Sequence, residues 1–210
     1  MQIGILGSGR MGSGLGKIWA RKGHRVVFSW SHDPAKLEAL AASVPNAEYG
    51  TVRRAVETCE VLLLSVPWAG VNDLLSETGP LKNRIVIDCT NPLLPDLSGL
   101  AIGHNTSGAE EIARLIPDAK VVKAFNTAFA EIYHNVSRLF GSRIATMFFC
   151  GDDAEAKSVV AKLINDAGFE SLDAGPLPSA RYLEPLAMLM IRLGYGQGMG
   201  TGIGLNLMRS

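Results

Sequence analysis

The segment "ILGSGRMGSGLG" places Gly7-x-Gly9-x-x-Gly12 directly after the apolar run "QIGILG" and just ahead of an apolar helical pattern. No other stretch narrows the possible folds as much. A strand that ends in a glycine turn and feeds a helix exposes backbone N–H groups at the helix's positive end, where a diphosphate can be received. Each glycine answers a steric need: Gly7 the tight turn, Gly9 the approach of backbone to a pyrophosphate, Gly12 the close packing of helix on strand. Ser8, Arg10 and Met11 fill the rest of the loop and join the glycines as candidate cofactor contacts.

Further apolar runs continue the pattern. "RVVFS" (25–29), "VLLLSV" (61–66), "RIVIDC" (84–89), "KVVKAF" (120–125) and "ATMFFC" (145–150) alternate with helical stretches, the order expected of βαβ units. Strands so uniformly apolar suit a parallel sheet covered on both faces. The predicted fold is therefore α/β, a Rossmann-type doubly wound parallel sheet with a small C-terminal α/β appendage. The nucleotide-binding domain is expected over residues 1–140 and the appendage over 141–210. Helix starts are legible at Asp33 before Pro34, at Ser107 with Glu110, and at Asp152 or Asp153. A strand in "FESLDAG" and a helix in "ARYLEPLAMLMIRLG", interrupted by Pro185, follow.

Ligands of such sheets bind outside the carboxyl ends of the strands. That rule places Ser65, Val66 and Pro67, at the end of "LLLSVP", beside a cofactor ribose. It places Asn91 of "DCTNP" and Asn126 of "FNT" toward the nicotinamide end.

Lys and Arg (20) balance Asp and Glu (20), so charge suggests neither nucleic acid nor an acidic membrane surface as partner. Cys59, Cys89 and Cys150 are far apart, which gives neither a metal site nor a disulfide framework and suits a reducing cytoplasm. The longest apolar run is far short of the roughly 20 residues that span a bilayer. The N-terminus enters a strand at once, so a signal peptide is not expected.

"ILGSGRMGSGLG", "LSVPW", "VVKAFNT" and above all "CGDDAEAKSVV" with "LDAGPLPSARYLEPLAMLMI" resemble the coenzyme F420-dependent NADP oxidoreductases. They also resemble the cytosolic reductase domain of the six-transmembrane metalloreductases. The resemblance covers nearly the whole chain. It implies NADP(H) across the strand ends and a flat acceptor, coenzyme F420 or a flavin, stacked near the nicotinamide in a cleft completed by the C-terminal part. It also implies a homodimer. One departure stands out: the archaeal members that use the deazaflavin carry histidine where this chain has Asn126, and a bulkier aliphatic where it has Ala128.

Cofactor choice rests on "FSWSHDPAK". Asp33 could bind an NAD ribose, but its place before Pro34 makes it a helix cap. Ser31, His32 and Lys36 then remain to receive the 2′-phosphate of NADP, with a preference that weakens as pH rises through the His32 pKa. Hydride transfer between stacked rings requires no side-chain acid or nucleophile, and none is assigned. His24 and His134 are expected at the surface, and His104 in a loop. Alternatives left open are an NADPH-dependent ferric, cupric or flavin reductase and a non-catalytic NADP sensor. The glycines at every second position from 194 to 204 are read as a folded loop whose backbone lies against a flat ring or a partner subunit.

Overall fold

Strand β1 (Gln2–Leu6) sends Ile3 and Ile5 into one hydrophobic cluster and Leu6 into another. The same alternation recurs along the chain. Val26 and Phe28 of β2 (Arg25–Ser29) join the first cluster and Val27 the second; Leu63 and Leu62 of β4 (Val61–Leu64) divide likewise. Period-two side chains thus feed two cores, one on each face of a sheet. A computed structural model describes residues 1–31, 33–134, 139–140 and 143–208.

Among these residues the main sheet has eight strands in the order β10-β9-β6-β5-β4-β1-β2-β3. The other members are β3 (Ala47–Tyr49), β5 (Ile85–Asp88), β6 (Lys120–Ala124), β9 (Thr146–Gly151) and β10 (Glu170–Asp173). Helices α1 (Arg10–Arg21), α2 (Pro34–Ala42) and α6 (Ala154–Asp166) supply the first cluster with Leu15, Trp19, Leu37, Val160 and Leu163. Helices α3 (Val52–Thr58), α4 (Val71–Thr78) and α5 (Gly108–Leu115) supply the second with Ala55, Leu74 and Ile112. Helix α7 (Ala180–Ile191) reaches both, through Leu183 and Met190. The expected α/β class and doubly wound sheet are observed.

Four local features differ from the sequence reading. The C-terminal strands β9 and β10 extend the main sheet: β9 pairs antiparallel with β6, Ala124 opposite Phe149, and β10 runs parallel to β9. Strand β3 is a three-residue edge element, partly exposed, with no apolar run to announce it. Two further strands, β7 (Leu139–Phe140) and β8 (Arg143–Ile144), form a two-residue-per-strand antiparallel pair. Helix α7 continues through Pro185 although proline cannot donate to the Arg181 carbonyl.

Local caps follow the sequence closely. Asp33 accepts from the N–H groups of Ala35 and Lys36, Ser107 from that of Glu110, and Asp153 from that of Ala156. Asp152 instead accepts from Leu177 N–H at 2.8 Å, tying the start of α6 to the turn before α7. His24 corrects its surface placement: it is buried, with Nε2 3.0 Å from Asp166 Oδ2. His134 is exposed, its Nε2 2.8 Å from the Arg10 carbonyl oxygen.

Two of the alternating glycines, Gly194 and Gly204, pack against the protein's own rings, while Gly196, Gly198, Gly200 and Gly202 have nothing within 4 Å of a Cβ. A methyl group at Gly194 would stand 2.5 Å from Phe129 Cζ, and one at Gly204 would stand 2.8 Å from Phe140 Cζ. The tail is held by Thr146 N–H donating to the Leu205 carbonyl at 2.7 Å and by Asn206 Nδ2 donating to the Ile144 carbonyl at 2.8 Å.

Candidate active site

The glycine loop has the geometry an anion needs. Gly7 has φ +112°, and a Cβ there would meet the Ser65 carbonyl oxygen at 2.5 Å. At Gly12 a Cβ would fall 2.0 Å from the Gly7 carbonyl oxygen and 2.5 Å from Ser65 Oγ. Gly9 has nothing within 4 Å of a Cβ, so the space in front of the loop is open. Gly9 is also the N-cap of α1, which no side chain caps. Its first-turn N–H groups therefore face that open space with no side-chain oxygen to satisfy them. These residues fit a dinucleotide pyrophosphate.

The neighbouring residues brace the loop. Ser65 Oγ donates to the Gly7 carbonyl at 2.7 Å. Ser8 is buried, its Oγ donating to the Ser29 carbonyl at 2.9 Å and its N–H to the Trp30 carbonyl at 3.2 Å. Ser8 thus fastens the turn to the end of β2 with both of its donors. Val66 is core, and Pro67 is exposed at the start of a short helical turn, Trp68–Gly70. Arg10, largely exposed, pairs with Glu131 at 2.8 Å.

Beyond β2 a cavity of about 320 Å³ is lined by Trp30, Ser31, Leu37, Gly50, Thr51, Val52 and Glu77. Ser31 Oγ accepts from Asp33 N–H at 3.1 Å, which leaves its hydroxyl hydrogen able to donate. Lys36 is exposed in the first turn of α2. His32 lies outside the described residues.

A second cavity, about 200 Å³, joins the fingerprint to the later strand ends. Met11 lines it together with Asn91 and Asn126, and with Leu97, Phe129, Met190 and Tyr195 among its apolar walls. The two asparagines hold each other. Asn126 Nδ2 donates to Asn91 Oδ1 at 3.0 Å and to the Leu183 carbonyl at 3.0 Å, while Asn91 Nδ2 donates to the Asn126 carbonyl at 3.1 Å. Asn126 Oδ1 is buried with no donor facing it. Just before it Phe125, wholly buried, takes φ +66°, a conformation that costs a non-glycine residue roughly 1–3 kcal/mol. Trp19 and Tyr133 pack edge-on against its ring at centroid distances of 5.7 and 6.2 Å.

One group of charges escaped the sequence reading. Lys123 Nζ, fully buried at the end of β6, donates to Asp88 Oδ2 at 2.9 Å, Glu184 Oε1 at 2.8 Å and the Thr90 carbonyl at 2.6 Å. Burial disfavours the ammonium, but Asp88 and Glu184 outweigh it and hold the lysine above its ordinary pKa. Glu184 also accepts from the N–H groups of Gly108 and Ala109 at 2.8 and 3.1 Å. The sequence signal was present: a lysine, an aspartate and a glutamate each inside an apolar run. Nearby thiols are inert by the same burial, Cys89 pushed well above the ordinary range and Cys150 pushed up to about 12. Among the described residues no group of three or more His, Cys, Asp and Glu side chains could hold a metal ion.

Residues 2–92 match the family model "NADP oxidoreductase coenzyme F420-dependent". The chain is 29% identical over 210 residues to the F420-dependent NADP reductase of Methanothermobacter marburgensis, covering 92% of each. Over nearly its whole length the chain is thus similar to F420-dependent NADP reductases. A crystal structure from Arthrobacter sp. FB24, described as an F420-dependent NADP-reductase, covers the whole of both chains with TM-score 0.88 at 27% identity. The rat metalloreductase STEAP3 is 32% identical over 190 residues; the match takes in 90% of this chain and 37% of that protein. In this chain the glycine loop, the Ser65 brace and the Asn91–Asn126 pair occupy the carboxyl edge of the sheet. Among the described residues no helix is long and apolar enough to cross a membrane.

Proposed function

We propose that this protein is an NADP(H)-dependent oxidoreductase that moves a hydride between NADPH and a flat deazaflavin (F420) or flavin-like ring. The single observation that supports it most is the shared cavity: Met11 of the nucleotide fingerprint and the Asn91–Asn126 pair line one apolar space. NADPH supplies the hydride when bound, and the chain contributes placement and exclusion of water. Gly9 and the first turn of α1 would hold the diphosphate, and Ser31, Lys36 and His32 the 2′-phosphate. Among the described residues no Lys, Arg, His, Asp or Glu lines the 200 Å³ cavity, which suits an uncharged ring more than an anionic small substrate. The test is anaerobic NADPH oxidation with F420, FMN, FAD and ferric chelates. Turnover with F420 or a flavin is expected; tight NADPH binding with no turnover on any of them would replace this reading by a sensor.

A second reading, an NADPH-dependent ferric, cupric or flavin reductase, draws on the likeness to STEAP3. Turnover of ferric chelates that requires added flavin would support it.

We further propose a homodimer. The exposed side of α7 carries Tyr182, 77% accessible, and Leu189, 52% accessible, with Tyr195 beyond its end. Sedimentation of the Tyr182→Glu/Leu189→Glu chain should show a monomer where the wild type shows a dimer. A reducing cytoplasm is the proposed location, supported by three free, buried thiols.

A further inference from the structure

We propose that Lys123, Asp88 and Glu184 are positioning residues for hydride transfer, a buried ion triad that fixes the Asn91–Asn126 wall of the acceptor cavity. The proposal rests on the oxidoreductase reading of that cavity. Three observations carry it. The first is connectivity. Lys123 lies three residues before Asn126 on the strand that runs into the strained Phe125, and Asp88 lies three residues before Asn91 on the adjacent strand. Asp88 also accepts from Thr90 N–H through Oδ1 at 2.8 Å, while Lys123 holds the Thr90 carbonyl. The segment leading to Asn91 is therefore gripped on both its donor and its acceptor side.

The second is the third partner. Glu184 belongs to α7, whose preceding residue, Leu183, supplies the carbonyl that receives Asn126 Nδ2. One turn of α7 thus holds Lys123 by charge and Asn126 by hydrogen bond. Any shift of α7 relative to β6 must break both. The net negative charge of the triad, one ammonium against two carboxylates, faces the N–H groups of Gly108 and Ala109 at the start of α5. Four elements from distant parts of the sequence are locked in one register below the cavity.

The third is energetic. Three charges out of water are a weak way to stabilise a fold, since well-packed apolar residues of the same volume do as well or better. What a triad supplies that apolar packing does not is direction: its donors and acceptors accept one arrangement and penalise slippage. Directional restraint has a use here, because hydride transfer is sensitive to displacements of an ångström or less.

The experiment compares wild type with Lys123→Met/Asp88→Asn, which removes one opposite pair and leaves Glu184 with its two backbone donors. Stability, NADPH affinity by fluorescence, single-turnover hydride transfer to FMN and to F420, and the side-chain amide signals of Asn126 in 15N NMR are measured. The expected result is a folded protein with NADPH affinity within about twofold of wild type. Its hydride-transfer rate should fall by roughly tenfold or more, the primary isotope effect with deuterated NADPH should change, and the Asn126 amide signals should broaden or exchange faster. Unchanged Asn126 signals, or an unchanged transfer rate and isotope effect in the folded variant, would overturn the proposal. Should that variant fail to fold, Glu184→Gln, which keeps an oxygen for Lys123 and Ala109, carries the same comparison. If the wild type reduces neither acceptor, the oxidoreductase reading fails while the Asn126 signals still decide the role of the triad.

Discussion

Ser65 Oγ donates to the Gly7 carbonyl at 2.7 Å, so the end of β4 is stitched to the turn that follows β1. The turn cannot widen without breaking that bond, and Gly12 packs into the same corner. A methyl group at Gly12 would collide with both partners, at 2.5 and 2.0 Å.

Two substitutions separate steric from ligand effects in the loop. Gly12→Ala should lose about 1–3 kcal/mol of stability in urea unfolding, because backbone must move to admit the methyl. Gly9→Ala meets no protein atom within 4 Å and should stay within about 1 kcal/mol of wild type. Both should weaken NADPH by roughly tenfold or more. Wild-type NADPH affinity in Gly9→Ala would show that the open space is not where the diphosphate goes.

Cofactor choice is tested at α2. Asp33 spends its carboxylate on the N–H groups of Ala35 and Lys36, so Asp33→Asn, which can still cap, should leave the NADPH-to-NADH affinity ratio within about twofold. Lys36→Ala should weaken NADPH by roughly threefold to tenfold and leave NADH unchanged. Isothermal titration with both cofactors gives the answer. A selective loss of NADH affinity in Asp33→Asn would restore the aspartate as a ribose ligand.

Asn126 offers a direct probe of the cavity wall. Asn126→Ala removes donors to Asn91 Oδ1 and the Leu183 carbonyl, with an expected stability cost of about 1–3 kcal/mol. Acceptor-dependent NADPH oxidation should fall roughly tenfold or more, chiefly in kcat. An unchanged kcat would place the reacting rings elsewhere.

Acid sensitivity should centre on Glu110. Arg181 donates to it twice, from Nε at 2.9 Å and Nη2 at 2.6 Å, and this pairing, with help from Ser107, holds the Glu110 carboxyl below its ordinary value of 4.5. A carboxyl whose pKa is depressed by folding stabilises the native state above its unfolded pKa, and that contribution fades as pH falls through the folded value. Thermal melts between pH 6 and about 3 should therefore fall more steeply for wild type than for Glu110→Gln. Parallel curves would mean the pair contributes nothing measurable.

Much of the fold was legible because it depends on neighbours in the chain. The glycine turn, the apolar strands and the caps at Asp33, Ser107 and Asp153 each involve residues no more than a few positions apart. Side-chain alternation follows from strand geometry alone, so two cores on two faces could be read before any contact was known. Ser65, Asn91 and Asn126 were picked out as candidates by a rule about strand ends rather than by any property of their own.

Contacts between distant residues were not legible. Lys123 meets residues 35 and 61 positions away, and His24 meets Asp166 at a separation of 142. Nothing local in "KVVKAF" says which carboxylates will share its lysine, because the energy that keeps a buried ammonium charged exists only once burial and both partners coincide. The direction of β9 was likewise undetermined, since an apolar strand pairs equally well either way until the connection before it is laid down. The sequence by itself determined a glycine-turned nucleotide strand, a two-faced α/β sheet and the local caps, through short-range sterics and periodicity. Only the tertiary structure decided that the last strands extend that same sheet and that α7 locks onto β5 and β6 through three buried charges. Those choices depend on the free energy of bringing remote groups together in a dry interior.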